Sequence, residues 1–247
     1  MKKIDKNFIT HSFDEAKETY RDATLNIGLW KSERYVVEKY FQKNQNILDI
    51  GCGAGRTTIN LFKMGYQNIV GLDLTPSMLQ EAILLSDKEG LDIRFIEGDA
   101  TDLNFPDNHF HNALFSFNGF MQIPGRKSRF KALQEIKRIL KSDGIFVFTS
   151  HERGREPEYQ EFWKEQNKIW QEGNQDKRLY DFGDIIFRTP EIDREGFINI
   201  PSREEIVDLV SESGLTLVED FYRSDLFEEE RKTKVFSTEC RFWVVKK

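Results

Sequence analysis

Two hydrophobic periods alternate along this chain. Residues 1–42 read as mostly helical, with Trp30, Val36, Val37, Tyr40 and Phe41 spaced to form one apolar face. From residue 46 short apolar runs take over. Asn46–Ile50 predicts a strand, a helix follows through Ile59, Leu61 and Phe62 to Gly65, and Asn68–Asp73 predicts a second strand. Thr75 is placed to cap the next helix, Pro76 suits its first position, and Gly90 stands where a helix-ending glycine belongs. Strands are then predicted over 92–96, 111–117 and 145–149. A helix over 126–141 carries Phe130, Leu133, Ile136 and Leu140 as its stripe, and Asp143-Gly144 reads as a turn. Strands alternating with helices imply crossover connections, hence a doubly wound, mostly parallel seven-stranded α/β sheet of the Rossmann type.

The rhythm breaks over 151–200, which is polar and rich in aromatic residues. A helix near 157–173 and two short strands near 184–188 and 196–200 are expected there. Trp163 and Trp170, seven residues apart, share a helix face as core residues would. The aromatics are read either as the insert's own packing or as a substrate cage. Ser202-Arg203-Glu204-Glu205 is a capping box opening a helix that ends at Gly214. Strands at 215–222 and 235–245 then close the sheet as an antiparallel hairpin, the second alternating through Phe236, Thr238, Cys240, Phe242 and Val244. The division that follows is an N-terminal helical cover (1–42), a cofactor-binding core (43–150), a substrate-lid insert (151–200) and a C-terminal completion of the same sheet (201–247).

Composition narrows the classes. With 21 Phe, 7 Tyr and 4 Trp in 247 residues, the chain is no disordered segment. It has no apolar run long enough for a transmembrane helix, and the lysine-rich start lacks the apolar stretch of a secretory signal. Two cysteines, Cys52 and Cys240, exclude a disulfide framework and point to a reducing cytoplasm. Cys and His are not clustered at zinc spacing, so no metal is expected. The net charge of -6 offers no footprint for nucleic acid. Over 151–200 eight Lys and Arg face twelve Asp and Glu, which favours a neutral or cationic small molecule over a polyanion.

The chemistry concentrates at the predicted strand ends, where an open parallel sheet binds ligands. Gly51-Cys52-Gly53-Ala54-Gly55 follows the first strand, so bare backbone and a helix N-terminus face the crevice. Position 56 is Arg where a dinucleotide fingerprint has its third glycine. Asp49 precedes the loop, Asp73 ends the second strand and Gly98-Asp99-Ala100 follows the third. Three acids would serve a pyrophosphate poorly. They would serve a ligand with a ribose, an adenine and a cationic end.

The run Ile47-Leu48-Asp49-Ile50-Gly51-Cys52-Gly53-Ala54-Gly55-Arg56 resembles motif I of the class I S-adenosylmethionine-dependent methyltransferases. Leu133–Lys141 resembles the helix after their fourth strand, so the likeness runs from 46 to about 150. The resemblance implies S-adenosylmethionine as cofactor, leaving as S-adenosylhomocysteine. The motif I loop (Gly51, Cys52, Gly53, Gly55) would hold its methionine part, with Asp49 near the amino group. Asp73 and the adjoining Leu74 would take the ribose, Asp99 with Gly98 and Ala100 the adenine, and Met78 would pack on the adenine. Ser116 and Phe117 would border cofactor and substrate. Arg56 is read either as a cofactor contact or as a charge on the helix surface. Two departures stand out: His111-Asn112 replaces the common Phe-Asp, and Ser142-Asp143-Gly144 replaces the usual Pro-Gly-Gly turn.

The implied reaction is methyl transfer to a small-molecule N, O, C or S nucleophile. His151, just past the fifth strand, is the first candidate for a general base, and Tyr20, in a segment that folds over the cofactor in many relatives, is the second. Three alternatives remain: a methyltransferase for RNA or protein, a nicotinamide-dependent oxidoreductase, and a cofactor-binding protein without catalysis.

Overall fold

In the computed structural model, which describes residues 2–189 and 194–247, the chain folds around a sheet in the order β3-β2-β1-β4-β5-β9-β8. Its strands are β1 (Ile47–Ile50), β2 (Ile69–Asp73), β3 (Arg94–Glu97), β4 (Phe110–Phe115), β5 (Leu140–Ser150), β8 (Thr216–Tyr222) and β9 (Arg241–Lys246). β1 pairs in parallel with both β2 and β4, so the winding reverses between β1 and β4. That reversal opens a crevice beyond the carboxyl ends of the two strands. β9 runs antiparallel to both β5 and β8 and closes the sheet.

Side-chain alternation divides the core. Leu48, Ile50, Phe146, Phe148 and Trp243 point to one face, where α5 (Arg126–Ile139) and α7 (Arg203–Glu212) cover them. Ile47, Val147, Phe242 and Val244 point to the other, under α2 (Lys31–Tyr40) and α3 (Arg56–Lys63). α5 inserts Leu133, Ile136 and Ile139, all fully buried, and each is worth roughly 1.5–3 kcal/mol of transfer free energy.

The N-terminal region is two helices, α1 (Lys6–Asn26) and α2, broken at Gly28, whose φ of 70° a side chain would resist. α4 (Pro76–Lys88) starts at Thr75 without a bond from the Thr75 side chain; instead Asp73 Oδ1 accepts from Thr75 N at 2.8 Å. The Ser202 capping box forms as expected. The insert holds α6 (Gln160–Gln171) and a separate hairpin of β6 (Asp184–Thr189) and β7 (Arg194–Asn199). No α6 residue is fully buried, but Trp163 and Trp170 both set their rings edge-on to Phe182, so the shared face packs within the insert.

Some boundaries differ from expectation. β5 starts at Leu140, and Asp143-Gly144 lies inside it, where the pairing register with β4 shifts. β4 stops at Phe115, because Phe117 and Asn118 turn to φ of 51° and 60°. The strand expected over 235–245 begins only at Arg241. Between β8 and β9 the chain forms two short helices, α8 (Arg223–Leu226) and α9 (Arg231–Phe236), so Phe236 closes a helix. The buried Arg223 guanidinium holds that excursion by donating to the carbonyls of Ser237 and Thr238, both at 2.9 Å.

Candidate functional site

A cavity of about 420 Å³ opens beyond the carboxyl ends of β1, β2, β3 and β4, within the size range of small-molecule sites. Its floor is the glycine loop. Gly51 and Gly53 have φ of 63° and 55°, and a side chain at Gly51 would collide with the Phe115 ring. The loop therefore presents bare backbone. Asp73 braces it: Oδ2 accepts from Gly53 N at 2.8 Å while Oδ1 accepts from Thr75 N. Burial pushes the Asp73 carboxyl above its ordinary range, and these backbone donors pull against that shift.

Leu74, Met78, Gly98, Asp99 and Ala100 continue the wall over β2 and β3, and Cys52, Ser116 and Phe117 complete it over β1 and β4. Burial pushes the Cys52 thiol well above its usual value, so it is no nucleophile. Asp99 Oδ1 accepts from Thr101 N and Oγ1, both at 2.8 Å, and Lys6 Nζ stands 3.8 Å from Asp99 Oδ2.

Arg56 reaches the wall, yet it does not lie on the helix surface. It is 7% exposed and forks onto Glu33 at 2.6 and 2.7 Å, while donating to the Gly28 carbonyl at 2.9 Å. Burial disfavours its charge, but the Glu33 carboxylate outweighs that and holds the guanidinium above its ordinary range. Glu33 also accepts from Trp30 N at 2.9 Å and from Ser116 Oγ. This buried pair ties α2, the start of α3 and the end of β4 together. Nothing in the sequence marked Glu33, which stands on a helix with a charged face.

Three expected residues lie outside the cavity wall. Asp49 points to the α2–α3 face of the sheet with Ile47, and accepts from Thr58 Oγ1 at 2.6 Å. Burial raises its carboxyl to about 7. Gly55 caps α3 and packs near Ile59 and Ala82. His151 is half-buried behind Asn118. The Glu239 carbonyl can only accept, so Nδ1 carries the proton at 2.7 Å, and Nε2 accepts from Asn118 Nδ2 at 3.0 Å. Burial lowers the His151 pKa, which keeps the ring neutral. Both ring nitrogens are thus occupied, and neither faces the cavity.

Tyr20 does line the cavity, packed between Phe13 and Phe117, and burial raises its phenol. It belongs to a roof that sequence reasoning recognised only in outline. α1 brings Ile9, Phe13 and Tyr20 at spacings of four and seven, a helical repeat that could have been read. The segment after β4 brings Gln122, Ile123, Pro124 and Ser128, and the insert brings Tyr180. Tyr180 Oη donates to the Ile4 carbonyl at 2.9 Å, and Thr24 Oγ1 donates to the Ala54 carbonyl at 3.1 Å, so the roof rests on both insert and loop. Arg129 fastens the insert beneath: it donates to Asp181 Oδ2 and to the Ile123 carbonyl, both at 2.9 Å. No group of three His, Cys, Asp or Glu side chains among the described residues could hold a metal ion, and none of their helices is long and apolar enough to cross a membrane.

The chemistry of this wall suits one cofactor better than another. Its acids are set at strand ends, and both wall cations already face carboxylates, so a pyrophosphate would find no free countercharge. Bare loop backbone beside Asp73 and Asp99 suits a ribose and an adenine. Residues 47–144 match the family model of a methyltransferase domain. The uncharacterized methyltransferase YcgJ of Bacillus subtilis is 32% identical over 165 residues, which is 64% of this chain and 60% of that protein. The ubiquinone/menaquinone biosynthesis C-methyltransferase UbiE of Rickettsia bellii is 29% identical over 198 residues, 75% of this chain and 73% of its own length. A solved S-adenosylmethionine-dependent methyltransferase from Methanosarcina mazei superposes with a TM-score of 0.70 at 19% identity, over 89% of this chain and 98% of that one. Sequence match and sheet order converge: residues 47–144 are similar to a methyltransferase domain, and the chain has the fold of the class I S-adenosylmethionine-dependent methyltransferases.

Proposed function

We propose that this chain transfers a methyl group from S-adenosylmethionine to a small molecule. The observation that carries the reading is the partly roofed cavity: α1 and Tyr180 reach over the strand ends and narrow the opening to a pocket of small-molecule size, where a polymer would need a long open groove. UbiE, by its name, methylates carbon in quinone biosynthesis, which accords with a small acceptor. Residues 1–42 and 151–200 act as the substrate cover.

S-adenosylmethionine, when bound, supplies a methyl group activated by its positive sulfur. The backbone of Gly51–Ala54 would hold its methionine part, Asp73 the ribose, and Asp99, Ala100 and Met78 the adenine. Tyr20, Phe13 and Phe117 exclude water, and alignment in that dry space supplies most of the acceleration. His151 serves this site by holding Asn118, and so the turn behind Phe117, and takes no proton from the acceptor. Tyr20 stands in the wall, but burial raises its phenol, so it keeps its proton and serves as cover and hydrogen-bond partner rather than as the base.

The test incubates the protein with methyl-labelled S-adenosylmethionine and fractionated cell extract. Label is expected in small molecules. Label in RNA or protein would overturn the small-molecule reading, and S-adenosylhomocysteine binding with no transfer to any fraction would favour a non-catalytic role.

A further inference from the structure

The cavity wall divides its polar groups into two kinds. Every charged side chain in it is engaged by the protein. Arg56 is forked onto Glu33. Lys6 faces Asp99. Asp73 accepts two backbone N–H groups. Asp5 accepts from Phe8 N at 3.1 Å and pairs with Lys2. Of the neutral polar side chains, Thr24, Thr101, Ser116 and Tyr180 are also engaged, whereas Tyr20 Oη, the Gln122 amide and Ser128 Oγ have no hydrogen-bond partner among the described residues, and none of their atoms is sealed from the cavity or solvent. Around them the wall is apolar, with Ile4, Ile9, Ile123 and Pro124.

We infer that the methyl acceptor is an uncharged, largely apolar molecule bearing a hydroxyl or carbonyl oxygen, and that Gln122 and Ser128 recognise that oxygen. The inference rests on the methyltransferase reading above and narrows it. An acidic acceptor would enter beside Asp73 and Asp99 with only the exposed Lys6 at the rim, already drawn to Asp99, to meet it, and a poorly paired buried charge is strongly disfavoured. An ammonium would have to compete for carboxylates that already hold partners. A neutral oxygen asks for one donor and one acceptor, which a primary amide and a hydroxyl supply. A site built to hydrogen-bond such a group discriminates sharply against an analogue that lacks it, because its own polar atoms are then left unpaired.

Four probes of one skeleton test this by saturation-transfer NMR and calorimetry on protein loaded with S-adenosylhomocysteine: 2-naphthalenemethanol, 2-naphthoate, 2-naphthylmethylammonium and 2-methylnaphthalene. The alcohol is expected to bind at least about tenfold more tightly than the other three. Gln122→Leu should erase its advantage over 2-methylnaphthalene, Ser128→Ala should reduce it, and S-adenosylhomocysteine affinity should stay within about twofold in both. Equal or tighter binding of the acid or the ammonium overturns the inference. So does failure of the alcohol to bind, or a Gln122→Leu variant that keeps the preference. Loss of S-adenosylhomocysteine affinity in that variant would place Gln122 on the cofactor and equally overturn it. If the unmodified protein does not bind S-adenosylhomocysteine at all, the methyltransferase reading itself fails, and the two failures are distinguishable.

Discussion

Replacing Glu33 with Gln tests whether the site is held together by one buried ion pair. The Glu33 side chain is 0% exposed and the Arg56 side chain 8% exposed. Glu33 takes four donors: both Arg56 nitrogens, Trp30 N and Ser116 Oγ. Gln keeps the volume but removes the charge, and its NH₂ must face a donor. Breaking a buried pair from one side costs about 3–5 kcal/mol, because the remaining charge is stranded. In a chain of this size each kcal/mol moves the melting temperature by about 2–4 °C, so a drop of roughly 6–20 °C is expected.

The double variant Glu33→Gln/Arg56→Met is the control. Removing both charges leaves nothing stranded, so it should be more stable than Glu33→Gln alone, with a coupling energy on the order of 2–3 kcal/mol in a double-mutant cycle. Differential scanning calorimetry at pH 7 reads all four corners. A single variant melting within about 2 °C of the parent would refute the reasoning, as would a double variant whose loss equals the sum of the two singles.

Asp73→Asn should weaken S-adenosylhomocysteine binding by on the order of 1.5–3 kcal/mol, the scale of a lost charged hydrogen bond; unchanged calorimetric affinity would remove Asp73 from the ribose. His151→Gln should lower turnover without altering the shape of its pH profile between pH 6 and 8; loss of a titrating limb there would return the imidazole to the reaction. Asp49, raised to about 7 when folded, binds more protons than it does unfolded, so its contribution to stability is greatest in acid and falls as pH rises. Relative to Asp49→Asn, the parent should therefore lose on the order of 4 kcal/mol between about pH 4 and pH 7 and level off above that. A difference in urea midpoints that stays flat over this range would contradict the raised value.

Where structure follows from local pattern, the sequence was readable. The glycine loop, Asp73 and Gly98–Ala100 are a strand-end arrangement written within about fifty residues, and all but Gly55 land on the cavity. The seven strands follow from period and spacing. Asp49 illustrates the limit: its place one residue before Ile50 puts it on the opposite face of β1, where it ties the strand to Thr58 of α3. Glu33 was invisible because its partner lies 23 residues away and its burial comes from tertiary packing. The alternation through Phe236, Thr238 and Cys240 suggested a strand, but the Arg223 guanidinium draws the carbonyls of Ser237 and Thr238 into a loop instead. The contributions of Gln122, Ser128 and Tyr180 depend on how three separate segments meet over the sheet, which no local pattern encodes.

The floor and the roof of the cavity are secured by different kinds of bond, and this difference bears on how ligands enter. The floor hangs from strand ladders and the buried Arg56–Glu33 pair. The roof reaches it through Thr24 on the Ala54 carbonyl, while the Tyr180 hydroxyl on the Ile4 carbonyl and Arg194 Nε on Ser12 Oγ at 2.8 Å join the N-terminal segment to the insert. Only Ile9, Ser12, Ala16 and Ala23 of the 21-residue α1 are buried, and two of them are alanines that contribute little apolar area. Segments with few buried contacts open at lower free energy than ladder strands do. Lifting α1 is therefore the least costly way to expose the loop, and a ligand beneath it must hold it down. Amides of α1 should exchange hydrogen faster than those of β1 and β4 in the free protein. With S-adenosylhomocysteine at about 100 times its dissociation constant, α1 protection should rise by up to about 2.7 kcal/mol, the full linkage value. Unchanged exchange in α1, with binding confirmed by calorimetry, would show that the roof opens independently of the ligand and that entry follows another route.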